Sequence, residues 1–319
     1  MSRHAREISL GIAIAVLAVV LAFVAPGFFT FANLRDLVMA NMPVLIVALG
    51  MTLVILTGQI DISVGSIFAI CSVTAGVFAK MGLPTPAAGL VAALAGGILG
   101  ALNGALVAYL RIPSIVVTLA VMVALRDGLR WITQGAWVQD LPLSFQWFGL
   151  PQAASESITI AFAVVLVACV SWSLRNLAAG RAVYATGSNA DAARLAGIEP
   201  DRVVFAVFAL IGVLTGCAAL FNSVRFNQIP SNAGIGMEMQ VIAAVIVGGT
   251  SVTGGRGTIA GTLLGVVLLG MIGPALTFLG ISAYWERAIQ GGIILTAVAI
   301  DAAGSRSRRY AGNLAAGRA

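Results

Sequence analysis

Long apolar runs recur along the whole chain, and they decide what it can fold into. A helix that crosses the hydrocarbon core of a bilayer needs about 20 mostly apolar residues, and most of these runs are about that long. Of all residues, 60% are hydrophobic and 9% are charged, against roughly 25% charged residues in soluble domains. Such a chain cannot offer a water-soluble surface. The sequence therefore predicts one all-α, polytopic membrane domain over residues 1–319.

The pattern contains ten candidate transmembrane spans. They are 8–25, 38–57, 61–80, 86–109, 113–133, 157–174, 203–224, 237–253, 257–279 and 283–303. With the N-terminus in the cytoplasm, twelve of the eighteen Lys and Arg residues lie on the cytoplasmic side. The positive-inside rule favours this orientation, with both termini and the polar segment 175–202 in the cytoplasm. No small-x-small cleavage pattern follows the first run, which indicates an uncleaved span.

Glycines repeat every fourth residue in two of the spans. Gly96, Gly100 and Gly104 share one face of the fourth span, and 257–265 repeats the spacing in the ninth. Faces of small residues let helix backbones approach closely in a membrane, so we expect tight helix packing at both places. The two spans occupy matching places in a five-plus-five division, which suggests an inverted repeat.

Several kinds of catalytic site are missing from the chain. A P-loop needs a lysine that reaches the phosphates, but Lys80 is the only lysine and precedes Met81-Gly82. His4 is the only histidine, which excludes paired-histidine metal motifs and Ser-His-Asp triads. We therefore expect no enzymatic activity, no cofactor and no metal site.

A polar motif, GQIDISVGS at 58–66, interrupts two apolar runs. A carboxylate in such a place is costly unless its oxygens are satisfied. Asp61 caps the third span in one interpretation, and in the other it belongs to a transport pathway that a broken helix exposes. The candidate pathway or structural residues are Gln59, Asp61, Ser63 and Asn103.

The segment 175–202 is the one long polar stretch of the chain, and it predicts a short helix over 190–196 with a cap at each end. Asn189 is suited to the N-cap and Gly197 to the C-terminal glycine, while Asp191 and Arg194 match the helix dipole. The spacing fits an interfacial helix and a docking helix for a cytosolic subunit equally well. The candidate docking residues are Asn189, Asp191, Ala192, Ala193, Arg194 and Gly197.

Four motifs together resemble the permease subunits of bacterial monosaccharide ABC importers, namely the ribose, rhamnose and autoinducer-2 permeases, a sister group of the branched-chain amino-acid permeases. In chain order they are GMTLVILTGQIDISVGS at 50–66, LRIPSIVVTLA at 110–120, Gly180 followed by RAVYATGSNADAARLAGI at 181–198, and VIVGGTSVTGGRGTIAGTLLG at 245–265. The match covers nearly the whole chain. Gln59 and Ile62 depart from the commoner GGIDLSVG.

The resemblance implies a fold of about ten helices, as in the cobalamin-type (type II) importers, in the bacterial inner membrane. It implies a cytosolic ATPase subunit, bound here at 186–198, and a periplasmic sugar-binding protein. A second permease, identical or a paralogue, completes the pore. Nucleic acid is not an expected partner. For the binding protein, candidate contacts are three arginines at the outer ends of spans, Arg35, Arg225 and Arg287.

Two other functions stay open at the level of sequence. In a stand-alone secondary transporter, Asp61 and Glu238 would couple transport to an ion. A branched-chain amino-acid permease would carry a zwitterion and favour a charged pathway. Four amide side chains suit a hydroxylated substrate instead, namely Asn103, Gln134, Asn222 and Gln240. Three segments resemble the rhamnose and autoinducer-2 branch most, namely 110–119, 137–150 and 184–189.

Overall fold

The computed structural model describes residues 3–282, 284–293 and 295–296, and almost all of the regular structure within them is helical. The helices with defined bounds are α1 (Arg3–Val24), α2 (Phe31–Leu56), α3 (Val64–Lys80), α4 (Thr85–Ala108), α5 (Ser114–Thr133), α6 (Gln152–Asn176), α7 (Ala178–Ser188), α8 (Ala190–Leu195), α9 (Pro200–Ser223), α10 (Met237–Val247) and α11 (Ile259–Phe278). Residues 284–293 and 295–296 are helical as well.

Six of the described helices, α1, α2, α4, α6, α9 and α11, are long and apolar enough to cross a membrane. Two shorter apolar helices, α3 and α10, form where the sequence predicts spans 61–80 and 237–253. Helix α5 covers the predicted span 113–133, and 283–303 lies partly outside the described residues. The all-α polytopic class is thereby confirmed, while the count of ten spans and the likeness to cobalamin-type importers stay predictions.

Helix α2 forms the centre of the bundle. From Pro43 to Leu56 it is almost wholly apolar around its circumference, a pattern that predicts burial on all sides, and every residue of this stretch is buried. Helices α9, α10, α11 and α6 pack around it. Helix α1 is the opposite case, because only 11% of its span is buried, and most of its surface is free to face lipid.

The glycine ladder of α4 packs against a second glycine face on α9. A Cβ atom on Gly96 would meet the carbonyl oxygen of Gly212, and one on Gly212 would meet that of Gly96. A Cβ on Gly100 would meet the carbonyl oxygen of Phe208. The two antiparallel backbones are therefore in direct contact, as the small-residue spacing predicts.

The ladder in α11 is shorter than the sequence predicts. Gly257 precedes the helix, which begins at Ile259, so the face consists of Gly261 and Gly265. Cβ atoms at these two positions would meet the carbonyl oxygens of Gly248 and Ala244, at the end of α10. Gly257 thus belongs to the connection before α11, and α11 packs against the short helix α10.

The helix contacts pair off between the two halves of the chain. Helix α3 packs on α4 and α9, whereas α10 packs on α11 and α2; α4 packs on α9, and α11 on α2. Exchanging α2 with α9, α3 with α10 and α4 with α11 turns one set of contacts into the other. This is the pattern that an inverted repeat requires.

The two ends of the bundle differ in their connections. Helices α7 and α8 lie at one end, here called the loop face. The connections 134–151 and 224–236 lie at the other end, here called the opposite face, where Val138 and Ile229 form an antiparallel bridge with both N···O distances at 2.9 Å. The sequence predicts α8 but not α7, the separate helix before it.

Candidate functional site

The connection between α2 and α3 folds back into the bundle from the loop face. Gly58 begins the reversal in a left-handed conformation, φ +79°, which glycine adopts without a steric penalty. The amide of Ile60 then donates to Ser114 Oγ at 3.2 Å, which places the connection beside the start of α5. Helix α3 begins only at Val64, so the third span starts three residues later than the sequence predicts.

Three of the predicted pathway residues form one buried hydrogen-bonded cluster. Asp61 Oδ1 accepts from the amide of Ser63 at 2.8 Å and from Ser63 Oγ at 2.6 Å. Asn103 Nδ2, on α4, donates to Ser63 Oγ at 2.8 Å. All three residues are fully buried. Asp61 therefore does hold the chain that enters α3, but it binds the amide two residues on rather than those of the first helical turn.

The same cluster has two buried acceptor atoms to spare. Asp61 Oδ2 and Asn103 Oδ1 have no hydrogen-bond partner among the described residues. An unsatisfied buried acceptor costs about 1–3 kcal/mol, which stability alone does not account for. Gln59 lies outside the cluster, on a cavity of about 290 Å³ at the loop face that Arg194 also lines.

The first turns of α3 and α10 meet deeper in the bundle around an ion pair that sequence analysis did not find. Arg126 of α5 lies 3.7 Å from Glu238 of α10 (Nη2 to Oε2). A Cβ on Gly65 of α3 would collide with the Glu238 carboxylate, so glycine at this position makes room for the pair. Both charged residues lie within predicted spans, and ionisable residues there mark functional sites by default; that was the available signal.

Glu238 also lines a cavity of about 830 Å³, together with residues 234–236 of the connection at the opposite face. The first turn of α10 forms one wall, and α2, α9, Ser282 and residues 284–291 supply the others. Its polar lining includes Asn222, Glu238, Gln240, Glu286, Arg287 and Gln290. Pockets of roughly 300–1,000 Å³ with a few convergent polar groups are typical small-molecule sites.

Helix α8, at the loop face, has both of the predicted caps. Asn189 Oδ1 accepts from the amides of Asp191 and Ala192, each at 3.0 Å. At the other end, the amide of Gly197 (φ +79°) donates to Arg194 O, and the amide of Ile198 donates to Ala193 O. This pair of bonds is a Schellman motif.

Helix α8 is held to the protein by few contacts. Ala193 is its buried residue, whereas Asp191, Ala192 and Arg194 are exposed. Arg194 forms ion pairs with Asp191 at 3.0 Å and Asp201 at 3.3 Å. Leu195 is 93% exposed. A helix that is capped at both ends and exposes a leucine to solvent offers an ordered apolar surface for a contact.

Helix α7 connects this surface to the interior through direct backbone contact. A Cβ on Gly187 would meet the carbonyl oxygen of Leu56, at the end of α2. The amide of Gly255 donates to the same oxygen at 2.9 Å, and Gly254 approaches Gly58 and Gly187 closely. These contacts join α7 directly to the connection that carries Asp61.

Two of the three outer arginines have partners inside the protein. Arg35 makes a bidentate pair with Glu156, with N···O distances of 2.5 and 2.7 Å, which ties α2 to α6. Arg225 Nη1 donates to Met39 O at 2.9 Å. Pro43 has no N–H to offer that carbonyl, so Arg225 replaces the missing helix bond.

Burial lowers the pKa of Arg225, while the carboxylates of Asp36 and Glu156 oppose the shift. Arg287 is exposed and lines the 830 Å³ cavity. All three arginines therefore lie toward the opposite face, but only Arg287 is both exposed and outside the described ion pairs.

In the described part of the chain, no group of three or more His, Cys, Asp or Glu residues could hold a metal ion.

Comparison with known proteins identifies the family. The chain is 36% identical over 296 residues to "Autoinducer 2 import system permease protein LsrC" of Yersinia pseudotuberculosis serotype O:1b (strain IP 31758), covering 93% of this chain and 84% of that protein. It is 36% identical over 292 residues to the protein of the same name from Escherichia coli (strain K12 / DH10B), covering 90% and 85%. No solved structure gives a significant match. Residues 33–298 match the family model "Branched-chain amino acid transport system / permease component", and the chain belongs to that family of membrane permeases.

Proposed function

We propose that this protein is the permease of an ATP-driven importer for autoinducer 2 or a closely related monosaccharide-like solute. The observation that supports this choice of substrate is the 36% identity, over nine tenths of the chain, to permeases named for autoinducer 2 import. As the permease of an import system, the chain works with a separate ATPase and a substrate-binding protein. A branched-chain amino acid is the second candidate, because the family description names it.

Uptake into proteoliposomes distinguishes these substrates. The permease is reconstituted with its ATPase and binding protein, and labelled autoinducer 2, rhamnose and leucine are each supplied with ATP. We expect uptake of autoinducer 2 that stops without ATP. Uptake of leucine alone would show that the substrate is a branched-chain amino acid. Uptake of autoinducer 2 by the isolated chain in an ion gradient would show that the protein is a secondary transporter.

The proposed docking surface for the ATPase is α8, with Asn189, Asp191, Ala192, Ala193, Arg194 and Gly197. Three features of the helix support this proposal. Both of its ends are capped, one of its faces is exposed to solvent, and α7 connects it to the bundle. Loss of the exposed leucine in Leu195→Ser should weaken co-purification of the ATPase, because fewer apolar contacts form. Normal co-purification would move the docking surface elsewhere.

The proposed pathway passes Asp61, Ser63 and Asn103, whose cluster has unused buried acceptors, and Gln59 marks its loop-face end. In this proposal the loop face and both termini are cytoplasmic, in the inner membrane of a bacterium. Thiol labelling of Leu195→Cys tests the orientation. In cells that lack the ATPase subunit, a membrane-impermeant reagent should label this cysteine in inside-out vesicles but not in intact cells.

A second permease, identical or a paralogue, and a periplasmic binding protein complete the proposed assembly. Arg35, Arg225 and Arg287 are the proposed contacts for the binding protein, with Arg287 the one best placed to meet it. Arg287→Glu should reduce binding-protein-stimulated ATP hydrolysis, and added salt should shrink the effect, because exposed charges chiefly orient an encounter. Equal stimulation at low salt would place the docking surface elsewhere.

A further inference from the structure

The 830 Å³ cavity has free hydrogen-bonding groups on facing walls. Asn222 projects from the last turn of α9, and Gln240 lies on α10. Neither amide side chain has a hydrogen-bond partner among the described residues. Each amide offers donors and an acceptor at one place, so each can bind a hydroxyl group in both of its roles.

Two of the three charged residues that line the cavity have hydrogen-bond or ion-pair partners, whereas Arg287 is exposed. Glu238 faces Arg126 on its far side at 3.7 Å and accepts from the amide of Gly236 at 3.3 Å. Glu286 Oε1 accepts from Gln290 Nε2 at 3.0 Å. The neutral polar groups without a partner include the amides of Asn222 and Gln240, each of which can bind a hydroxyl group.

The shape of the cavity agrees with a small ligand that enters from the opposite face. Apolar side chains of α2, among them Pro43 and Val44, line the wall across from α10. Gly234 and Gly236, both at positive φ, bring the start of α10 to the cavity. A site with one apolar wall and amides on the others can hold a sugar ring by its carbon face and its hydroxyls at once.

We propose that this cavity is the permease's own binding site for a small polyol that carries neighbouring hydroxyls, with Asn222 and Gln240 as the hydroxyl-binding residues. Glu238, which lines this cavity and pairs with Arg126, lies next to Gly65. The site rests on the proposed function, since it holds the imported solute after the binding protein releases it.

Ligand protection of single cysteines tests the site without depending on a transport rate. Cys71, Cys169 and Cys217 are free and are first replaced by alanine in the full assembly. Gln240→Cys and Asn222→Cys are then labelled from the opposite face with a thiol reagent. The control is Gln146→Cys, on the same face but not on this cavity.

Autoinducer 2 or D-ribose, supplied at about 5 to 10 times its Kd, should slow labelling at positions 222 and 240 by about 5- to 10-fold, because the bound ligand leaves the site free for only the remaining fraction of the time. Labelling at position 146 should not change. Protection by leucine instead, or equal labelling with and without every solute, overturns the site. The uptake of autoinducer 2 by the parent assembly is read separately, so failure of the proposed function and failure of the site give different results.

Kinetics provide the second measurement. Gln240→Met keeps the length of the side chain but removes the amide, and we expect the KM for uptake to rise about 5- to 10-fold with little change in the maximal rate. Gln146→Met is the matched control and should leave both values as in the parent. An unchanged KM in Gln240→Met would contradict a role in binding.

Discussion

The α4–α9 contact and the α3–α10 contact both depend on glycine, yet they contain opposite things. Between α4 and α9, glycines let one backbone touch the carbonyl groups of the other. Between α3 and α10, Gly65 makes room for a carboxylate and a guanidinium. The first contact is closed and apolar, and the second holds polar atoms without partners. The difference suggests that the first is a fixed frame and that the second is where the protein changes during transport.

The largest effect should come from breaking the closed contact. Gly100→Leu forces a side chain against the carbonyl of Phe208, and overpacking of this kind costs about 3 kcal/mol or more. We expect loss of the folded permease, measured by size-exclusion profile and thermal unfolding in detergent. Gly11→Leu, in α1 with open space around it, is the control. A folded, active Gly100→Leu protein would mean that α4 and α9 can separate.

Gly65→Ala tests the polar contact. Gly65 lies in the first turn of α3, where an added Cβ would meet the Glu238 carboxylate and lie 2.6 Å from Gly234 O. We expect the protein to fold with its unfolding temperature lowered, and uptake to fall at least 10-fold. Gly128→Ala has nothing within 4 Å of the added atom and should keep full uptake. Full uptake in Gly65→Ala as well would show that the two contacts are alike.

The bond between Arg225 and Met39 is a polar contact that stabilises a helix with an internal proline. Arg225→Met leaves the Met39 carbonyl without a donor, which should cost about 1–3 kcal/mol. Pro43→Ala returns an N–H to the helix and should recover part of that loss in the double variant. Thermal unfolding of the four proteins of this cycle measures the coupling. Additive effects would show that Arg225 does not substitute for the missing helix bond.

Gly197 represents a third use of glycine, in which conformation matters and space does not. Its φ is +79° and an added Cβ would meet nothing within 4 Å. Gly197→Val should cost about 1–2 kcal/mol through the left-handed backbone alone, locally, in α8. We expect normal membrane insertion with reduced co-purification of the ATPase. Gly197→Asn should behave like the parent, since asparagine tolerates this conformation; equal loss in both variants would point to a packing role.

Local features of this chain could be predicted from the sequence, and pairings between distant segments could not. The caps of α8 were predicted to the residue, because Asn189 and Gly197 act within one turn of the chain. The small face of α4 was evident, but its partner Gly212 was not, since spacing shows that a helix packs closely and not with which helix. Arg126 and Glu238 are 112 positions apart in a chain whose many apolar runs could be arranged in several ways, and only the fold brings them together.

The fit between Gly65 and Glu238 also limits how such a permease can evolve. A side chain at position 65 and a carboxylate at position 238 would occupy the same space. A lineage must therefore shorten residue 238 before it can enlarge residue 65, and the reverse order passes through a misfit protein. Once residue 65 has grown, the acid cannot return. The pair would act as a ratchet, so the two positions should change together between branches of the family, and position 65 should stay glycine wherever the acid is kept.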